Sequence, residues 1–220
     1  KEYCISEGIP PILKLKLEKS ASKGLFVESK TEGKTANARY ALRVTKQKGK
    51  PCDYIDITGF DYVRGNTSKV TRKVQMMVIS SLLKDNKKAI VPYIQQINAK
   101  IRAGNYPIAD LATPMSLGKD KLSDYKSGSF FMKGVNWSIA NLHTEIIAGD
   151  RIKIIYPKEI PNYQQTEVIC YLDEEDLPKL LLDYEKTINK TIKGKVEQFL
   201  KLGKSSWREI EGYGNWDDIV

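Results

Sequence analysis

Two segments in the first quarter of the chain alternate between apolar and polar residues, a period of two that predicts β-strands. They span residues 38–45 and 53–58, and residues 46–51 between them form a polar turn that contains a glycine and a proline. We therefore expect the two strands to pair as a β-hairpin. A further alternating segment, residues 12–17, is also predicted to be a strand, and residues 1–7 before it are predicted to end a helix.

Helical spacing replaces this alternation after residue 68. The apolar stripe consists of Val70, Val74, Met77, Val78 and Leu82. Thr67 or Ser68 is placed to cap this helix, because a hydroxyl at the N-cap accepts a hydrogen bond from a free backbone N–H group. The pattern predicts an amphipathic helix that begins just after these two residues.

A second helix is predicted over residues 86–104. The residues at helical spacing here are Ile90, Ile94, Ile97 and Ile101. Pro92 lies inside this segment and predicts either a start near Val91 or a kink, since proline has no N–H group to donate. Gly104 suits the position that follows a helix C-cap.

The remaining pattern mixes short strands with helices. We expect a strand at 108–112 and a helix at 131–142 that ends at His143. A turn and strand are expected at 148–156, with a partner strand at 166–171. One or two helices should follow at 177–202, broken near Gly194. The predicted fold class is α+β. An antiparallel sheet over residues 1–60 is followed by a mostly helical domain with a small sheet over residues 61–220.

Composition limits the classes of protein to consider. The chain has 220 residues, of which 41% are hydrophobic, enough for one large or two small domains with a real core. It contains no apolar run long enough to span a membrane, so no membrane partner is expected. Cys4, Cys52 and Cys170 are widely spaced and form no zinc pattern, which favours a reduced, cytoplasmic protein. The chain begins at Lys1 rather than methionine, so we expect a processed or excised piece of a longer protein.

Positive charge is concentrated in the first half of the chain. Residues 1–104 contain 21 lysines and arginines against 9 acidic residues, whereas residues 161–220 contain 8 against 12. Such asymmetry favours a surface that binds a polyanion. A basic RNA-binding or ribosome-associated protein would share it, so charge alone does not select DNA.

Four cations surround the start of the first predicted helix: Arg64, Lys69, Arg72 and Lys73. Cations at a helix N-terminus oppose the helix dipole, so stability alone does not favour them there. An anion at that corner would meet these side chains and free backbone N–H groups. If these cations bind phosphates, alanine substitutions of Lys69 and Arg72 should weaken binding but leave stability nearly unchanged. The alternative is an ordinary solvated face, on which the same substitutions would leave binding unchanged.

Several short motifs occur in an order and spacing that resemble the C-terminal part of a family B DNA polymerase, of the archaeal or a related viral kind. They lie at residues 15–19, 24–27, 39–42 and 59–64, followed by Thr67, Ser68 and Gln75. The resemblance implies the end of the polymerase palm over residues 1–60 and the thumb over residues 61–220. It departs from the family at Asn37 and Ala38, which replace two lysines, and residues 29–36 form an additional polar loop.

The resemblance also implies which residues contact DNA. In the palm motif they are Arg39 and Tyr40, and at the start of the thumb they are Arg64, Thr67, Ser68, Lys69, Arg72 and Lys73. Residues 119–126 resemble a thumb segment that lies along the DNA backbone, and the residues concerned there are Lys121, Tyr125 and Lys126. A charged loop explains this last segment equally well, and a strand aromatic is the alternative for Tyr40.

The catalytic motifs of that family are absent from these 220 residues. In the family, an Asp-x-x-Ser-Leu-Tyr-Pro segment and an Asp-Thr-Asp hairpin hold the metal ions. We therefore expect no catalytic residue and no cofactor in this chain. The partners implied are primer–template duplex DNA and an N-terminal polymerase part or subunit, and Mg²⁺ and dNTP belong to the complete polymerase. Whether the chain is a natural subunit or an excised fragment stays open.

Two acidic segments offer weaker alternatives. The four acids of residues 173–176 resemble a metal cluster, but acids are also typical of a helix N-terminus, and we prefer that explanation. Residues 213–218 resemble a polymerase turn but are too close to the end of the chain to form a hairpin. A metal nuclease therefore ranks below a non-enzymatic basic RNA-binding module as the alternative function.

Overall fold

The computed structural model describes residues 17–27 and 39–213. The chain divides into two compact units, Lys1–Thr58 and Gly59–Val220, and the predicted boundary lay at residue 60. The predicted helix at residues 1–7, the additional loop at residues 29–36 and most of the predicted strand at residues 12–17 lie outside the described residues. So do Asn37, Ala38, Cys4 and residues 214–220.

The first unit is a three-stranded antiparallel sheet in the order β1-β2-β3. Its strands are β1 (Lys19–Phe26), β2 (Tyr40–Gln47) and β3 (Lys50–Thr58). The predicted hairpin of β2 and β3 is confirmed, but both strands run further than expected. The connection is only Lys48 and Gly49, with φ values of +49° and +82°. Two consecutive residues in the left-handed region make a turn whose twist matches that of the strands, so the strands pair right up to it.

The second unit opens with three helices: α1 (Lys69–Leu83), α2 (Ile90–Arg102) and α3 (Ile108–Leu111). The predicted stripe of α1 is buried except at Met77, which is half-buried. All four isoleucines of α2 are buried, and Pro92 stands in the first turn of that helix, as expected. Gly104 follows the C-cap with φ +71°. Both helices were therefore correctly predicted from their apolar spacing.

A second antiparallel sheet, in the order β4-β5-β7, lies against a helix. Its strands are β4 (Thr113–Ser116), β5 (Arg151–Ile155) and β7 (Ile169–Tyr171), and the helix is α4 (Phe130–Leu142). A Cβ added at Gly134 would lie 2.8 Å from the Cys170 sulfur, so only glycine lets α4 approach β7 this closely. His143 ends α4 with φ +53°, as a helix C-terminal residue should. The core between them contains Leu117, Met132, Val135, Ile146, Ile152, Ile154, Tyr156, Val168 and Cys170.

The strand predicted at residues 108–112 is wrong, since these residues form the single turn α3. The Ala112 N–H donates to the Ile108 carbonyl at 2.8 Å, which closes a helical turn. Its apolar residues are compatible with both periods over so short a run, so the pattern could not separate strand from helix. The edge strand β4 then follows directly.

The last part of the chain contains β6 (Pro157–Glu159) paired with β8 (Leu181–Leu182), then α5 (Tyr184–Ile188), a π-helical turn (Asn189–Lys193), α6 (Gly194–Leu202) and α7 (Trp207–Ile210). The helix predicted from residue 177 was wrong at its start, because Asp183 is the N-cap and β8 occupies the preceding residues.

Near Gly194 the helix does not break but passes from π to α geometry. Of the four acids at residues 173–176, Asp173 is the N-cap of a 3₁₀ turn and the other three form that turn. They do not open a long helix. The chain is thus an α+β protein. None of the helices in the described ranges is both long and apolar enough to cross a membrane.

Candidate nucleic-acid interface

The N-terminus of α1 is held by two hydroxyl side chains. Ser68 is the N-cap, and its Oγ accepts a hydrogen bond from the Thr71 N–H at 3.3 Å. Thr71 Oγ1 donates to the Thr191 carbonyl at 2.5 Å and lies 2.7 Å from Ser68 Oγ. Because Thr71 has only one hydroxyl proton, Ser68 must be the donor between the two hydroxyls. Both side chains are buried, and both hydroxyl protons are used in these two bonds, so the two residues build the cap.

A second hydrogen bond between helices lies one turn further along α1. Gln75 Nε2 donates to the Lys195 carbonyl at 2.8 Å. The Thr191 carbonyl belongs to the π-helical turn, and the Lys195 carbonyl belongs to the first turn of α6. These two bonds fix the segment that contains Lys190 and Lys195 against the start of α1. Both contacts join residues 120 positions apart, so no local pattern could have found them.

Two of the four predicted cations have exposed side chains at the start of α1. Lys69 and Lys73 are one turn apart on the helix and both are exposed. The Lys69 side chain is 72% exposed and its ammonium lies 3.1 Å from the Asp110 carboxylate. Lys73 has no ion pair or hydrogen bond to any residue that the structure describes. We call this pair the lysine face.

Arg64 and Arg72 are tied to the protein itself. Arg72 Nη2 donates to the Arg64 carbonyl at 2.8 Å, and the Arg72 Nε is buried without a partner in the described structure. Arg64 is 46% exposed and lies 3.6 Å from Asp61. Arg72 thus contacts the loop that leads into α1, a contact that the expectation of nearly unchanged stability did not include.

Carboxylates that sequence reasoning missed offset part of this charge. The first turn of α1 contains no acidic residue, but Asp110 of α3 reaches Lys69. Asp61 lies between Arg64 and Lys195, 3.4 Å from the latter ammonium. The corner nevertheless keeps an excess of cations. Arg151 also reaches it from β5 and donates to the Gly65 carbonyl at 2.7 Å.

A cavity of about 240 Å³ opens beside this cap, and we call it the cap cavity. It is lined by Asn66, Thr67, Ser68, Thr71, Thr113, Tyr156, Lys190 and Lys195. Thr67 and Ser68 were singled out from the sequence, whereas the two lysines and Tyr156 were not. The lysines lie in a segment whose charge pattern alone is typical of a solvated helix face.

In the first unit, Arg39 precedes β2 and Tyr40 opens it. The Arg39 carbonyl accepts a hydrogen bond from the Val27 N–H at 3.1 Å, and Tyr40 pairs in register with Phe26. The two aromatic rings are 6.3 Å apart, and Phe26 is 72% exposed. Tyr40 is half-buried, and its hydroxyl has no hydrogen-bond partner within the described ranges. The ring therefore packs in the sheet while its hydroxyl stays available.

The third predicted group surrounds a 3₁₀ turn, Leu122–Asp124. The Tyr125 hydroxyl accepts a hydrogen bond from the Lys119 N–H at 3.0 Å, and its ring packs edge-on against Phe131 with centroids 5.2 Å apart. Lys121 and Lys126 are exposed. Tyr125 thus folds this loop onto the core below it. No hydrogen bond or ion pair between described residues joins this group to the lysine face.

No metal site is evident in the part of the chain that the structure describes, since no group of three or more His, Cys, Asp or Glu side chains there could hold an ion. In the comparisons with known proteins, no family model and no curated protein matches the chain.

Proposed function

We propose that this chain is the duplex-binding C-terminal piece of a family B DNA polymerase, with the end of the palm followed by the thumb. The observation that carries the proposal is the lysine face on α1. It follows directly the 59–64 segment, which resembles the start of the family's thumb. Lys69 and Lys73 are exposed one turn apart on a helix whose cap is fixed by buried hydrogen bonds.

A surface of this kind suits a protein that must bind duplexes of every sequence. Phosphate contacts position a protein on DNA without specifying bases. Two lysines on a rigid helix can reach phosphates of one strand, and the available hydroxyl of Tyr40 supplies a further contact in the first unit. Lys121 and Lys126 are proposed to contact the backbone from the loop that Tyr125 anchors.

The chemistry of synthesis would come from elsewhere in the polymerase. Phosphoryl transfer needs metal ions that are held by carboxylates. In this proposal, an N-terminal polymerase part or subunit supplies these carboxylates and binds Mg²⁺ and dNTP, while the chain described here holds the primer–template duplex.

Primer extension tests the proposal. The purified chain should bind duplex DNA but extend no primer with any divalent metal, and addition of the matching N-terminal polymerase part should restore synthesis. Metal-dependent extension by the chain alone would contradict the proposal. If the chain instead binds one structured RNA far more tightly than any duplex, the RNA-binding alternative is correct.

A further inference from the structure

Two of the residues that line the cap cavity carry a hydroxyl group without a hydrogen-bond partner among the described residues. They are Thr67, which is 5% exposed, and Tyr156, which is 8% exposed. Burial raises the pKa of Tyr156, so its phenol stays protonated and can donate. Two hydroxyl donors without a described partner at one cavity can therefore serve an acceptor from outside the chain.

Charge at the cavity favours an acceptor that is an anion. Lys190 is exposed and makes no ion pair to a described residue, while Lys195 shares its charge with Asp61 at 3.4 Å. None of the residues that line the cavity is acidic. The Thr71 N–H at the start of α1 is taken by Ser68, but the helix dipole still attracts negative charge at that end. Cations, hydroxyl donors and a helix N-terminus therefore surround the same space.

We infer that the cap cavity binds one phosphate group. A tetrahedral oxyanion with several acceptor oxygens matches donors that come from the residues just before α1, from the residue after β5, from the π-helical turn and from the start of α6. The volume of about 240 Å³ is below the ~300–1,000 Å³ of typical small-molecule pockets. It therefore suits a single phosphate better than a whole nucleotide. The inference depends on the cavity alone and not on the proposed polymerase function.

Calorimetric titration with inorganic phosphate, at constant ionic strength set by chloride, tests this inference. Wild type should bind one phosphate per chain. Lys190→Met and Thr67→Val should each weaken binding by about tenfold, the loss expected for a charge-assisted hydrogen bond. Tyr156→Phe provides a third variant that keeps the ring in place. Lys100→Met is the matched control, because Lys100 is an exposed lysine on α2, outside the cavity.

The melting temperature of each variant without phosphate shows whether it is folded. Absence of saturable binding to wild type, or equal binding by the control and all three cavity variants, would overturn the inference. A competition arm identifies the source of the phosphate. Displacement by duplex DNA but not by a neutral methylphosphonate duplex assigns it to a nucleic-acid backbone, and no displacement by either assigns it to a small phosphorylated molecule. If the chain binds no duplex, the proposed function fails while the phosphate result stands.

Discussion

Thr71 of α1 donates a hydrogen bond at 2.5 Å to the backbone carbonyl of Thr191, which lies 120 positions further along the chain. The donor stands in the first turn of α1, and the acceptor belongs to the π-helical turn. This one contact therefore couples the start of α1 to the segment that supplies Lys190 and Lys195. The geometry of the cap cavity depends on it.

Thr71→Val should lower the free energy of unfolding by about 1–3 kcal/mol, because it removes the two buried hydrogen bonds of the Thr71 hydroxyl, one to the Thr191 carbonyl and one with Ser68. Chemical denaturation measures this change. Thr187→Val is the matched control, because Thr187 is also buried and its hydroxyl donates to the Asp183 carbonyl. That carbonyl keeps a second hydrogen bond, from the Thr187 N–H at 2.9 Å, when the hydroxyl is removed. Equal losses of unfolding free energy in the two variants would contradict a specific contribution of the contact between Thr71 and Thr191.

Cys170 should resist alkylation in the folded protein. Its side chain is fully buried against α4, and burial raises the pKa of its thiol to about 12. Only the thiolate reacts, so at pH 8 the group stays protonated and unreactive until the chain unfolds. Cys52 is half-buried and serves as the internal comparison. Peptide mapping after iodoacetamide treatment should find Cys52 modified first, and equal rates at both cysteines would contradict the packing of α4 on β7.

Tyr40→Phe separates packing from DNA contact. The ring contact with Phe26 is kept, and the hydroxyl has no partner among the described residues, so the melting temperature should not change. If the hydroxyl contacts a phosphate, duplex binding should weaken by about 1 kcal/mol, roughly fivefold. Fluorescence anisotropy with a primer–template duplex measures this. Unchanged affinity would leave Tyr40 as a packing residue only.

Local sequence patterns were sufficient to predict the elements whose deciding contacts lie within a few residues of each other. The α1 and α2 helices were predicted because their apolar spacing, the Ser68 cap and Gly104 all act within a few residues. The hairpin was predicted for the same reason. Its strands extend further than expected because the two-residue turn was not recognised in a longer polar stretch.

The errors and omissions arise where distant residues decide the outcome. The apolar residues of the turn α3 and of the edge strand β4 are compatible with both the helical and the strand period. The strand β5, which pairs with β4, is far away in the sequence. The site was only partly predicted for a similar reason. Lys69 and Lys73 could be identified as neighbours on one helix, but Asp110, Lys190 and Tyr156 reach the same corner only through tertiary packing.

The lysine face is the central claim, and the salt dependence of duplex binding tests it most directly. Each phosphate contact contributes about 0.9 to the slope of log K against log salt. Lys69→Ala with Lys73→Ala should therefore reduce the slope by nearly two and weaken all duplex sequences alike. The control pair, Lys88→Ala with Lys100→Ala, removes the same charge from other exposed positions and should keep the slope of wild type. If both double variants keep the wild-type slope, or lose it equally, the lysine face does not bind the duplex.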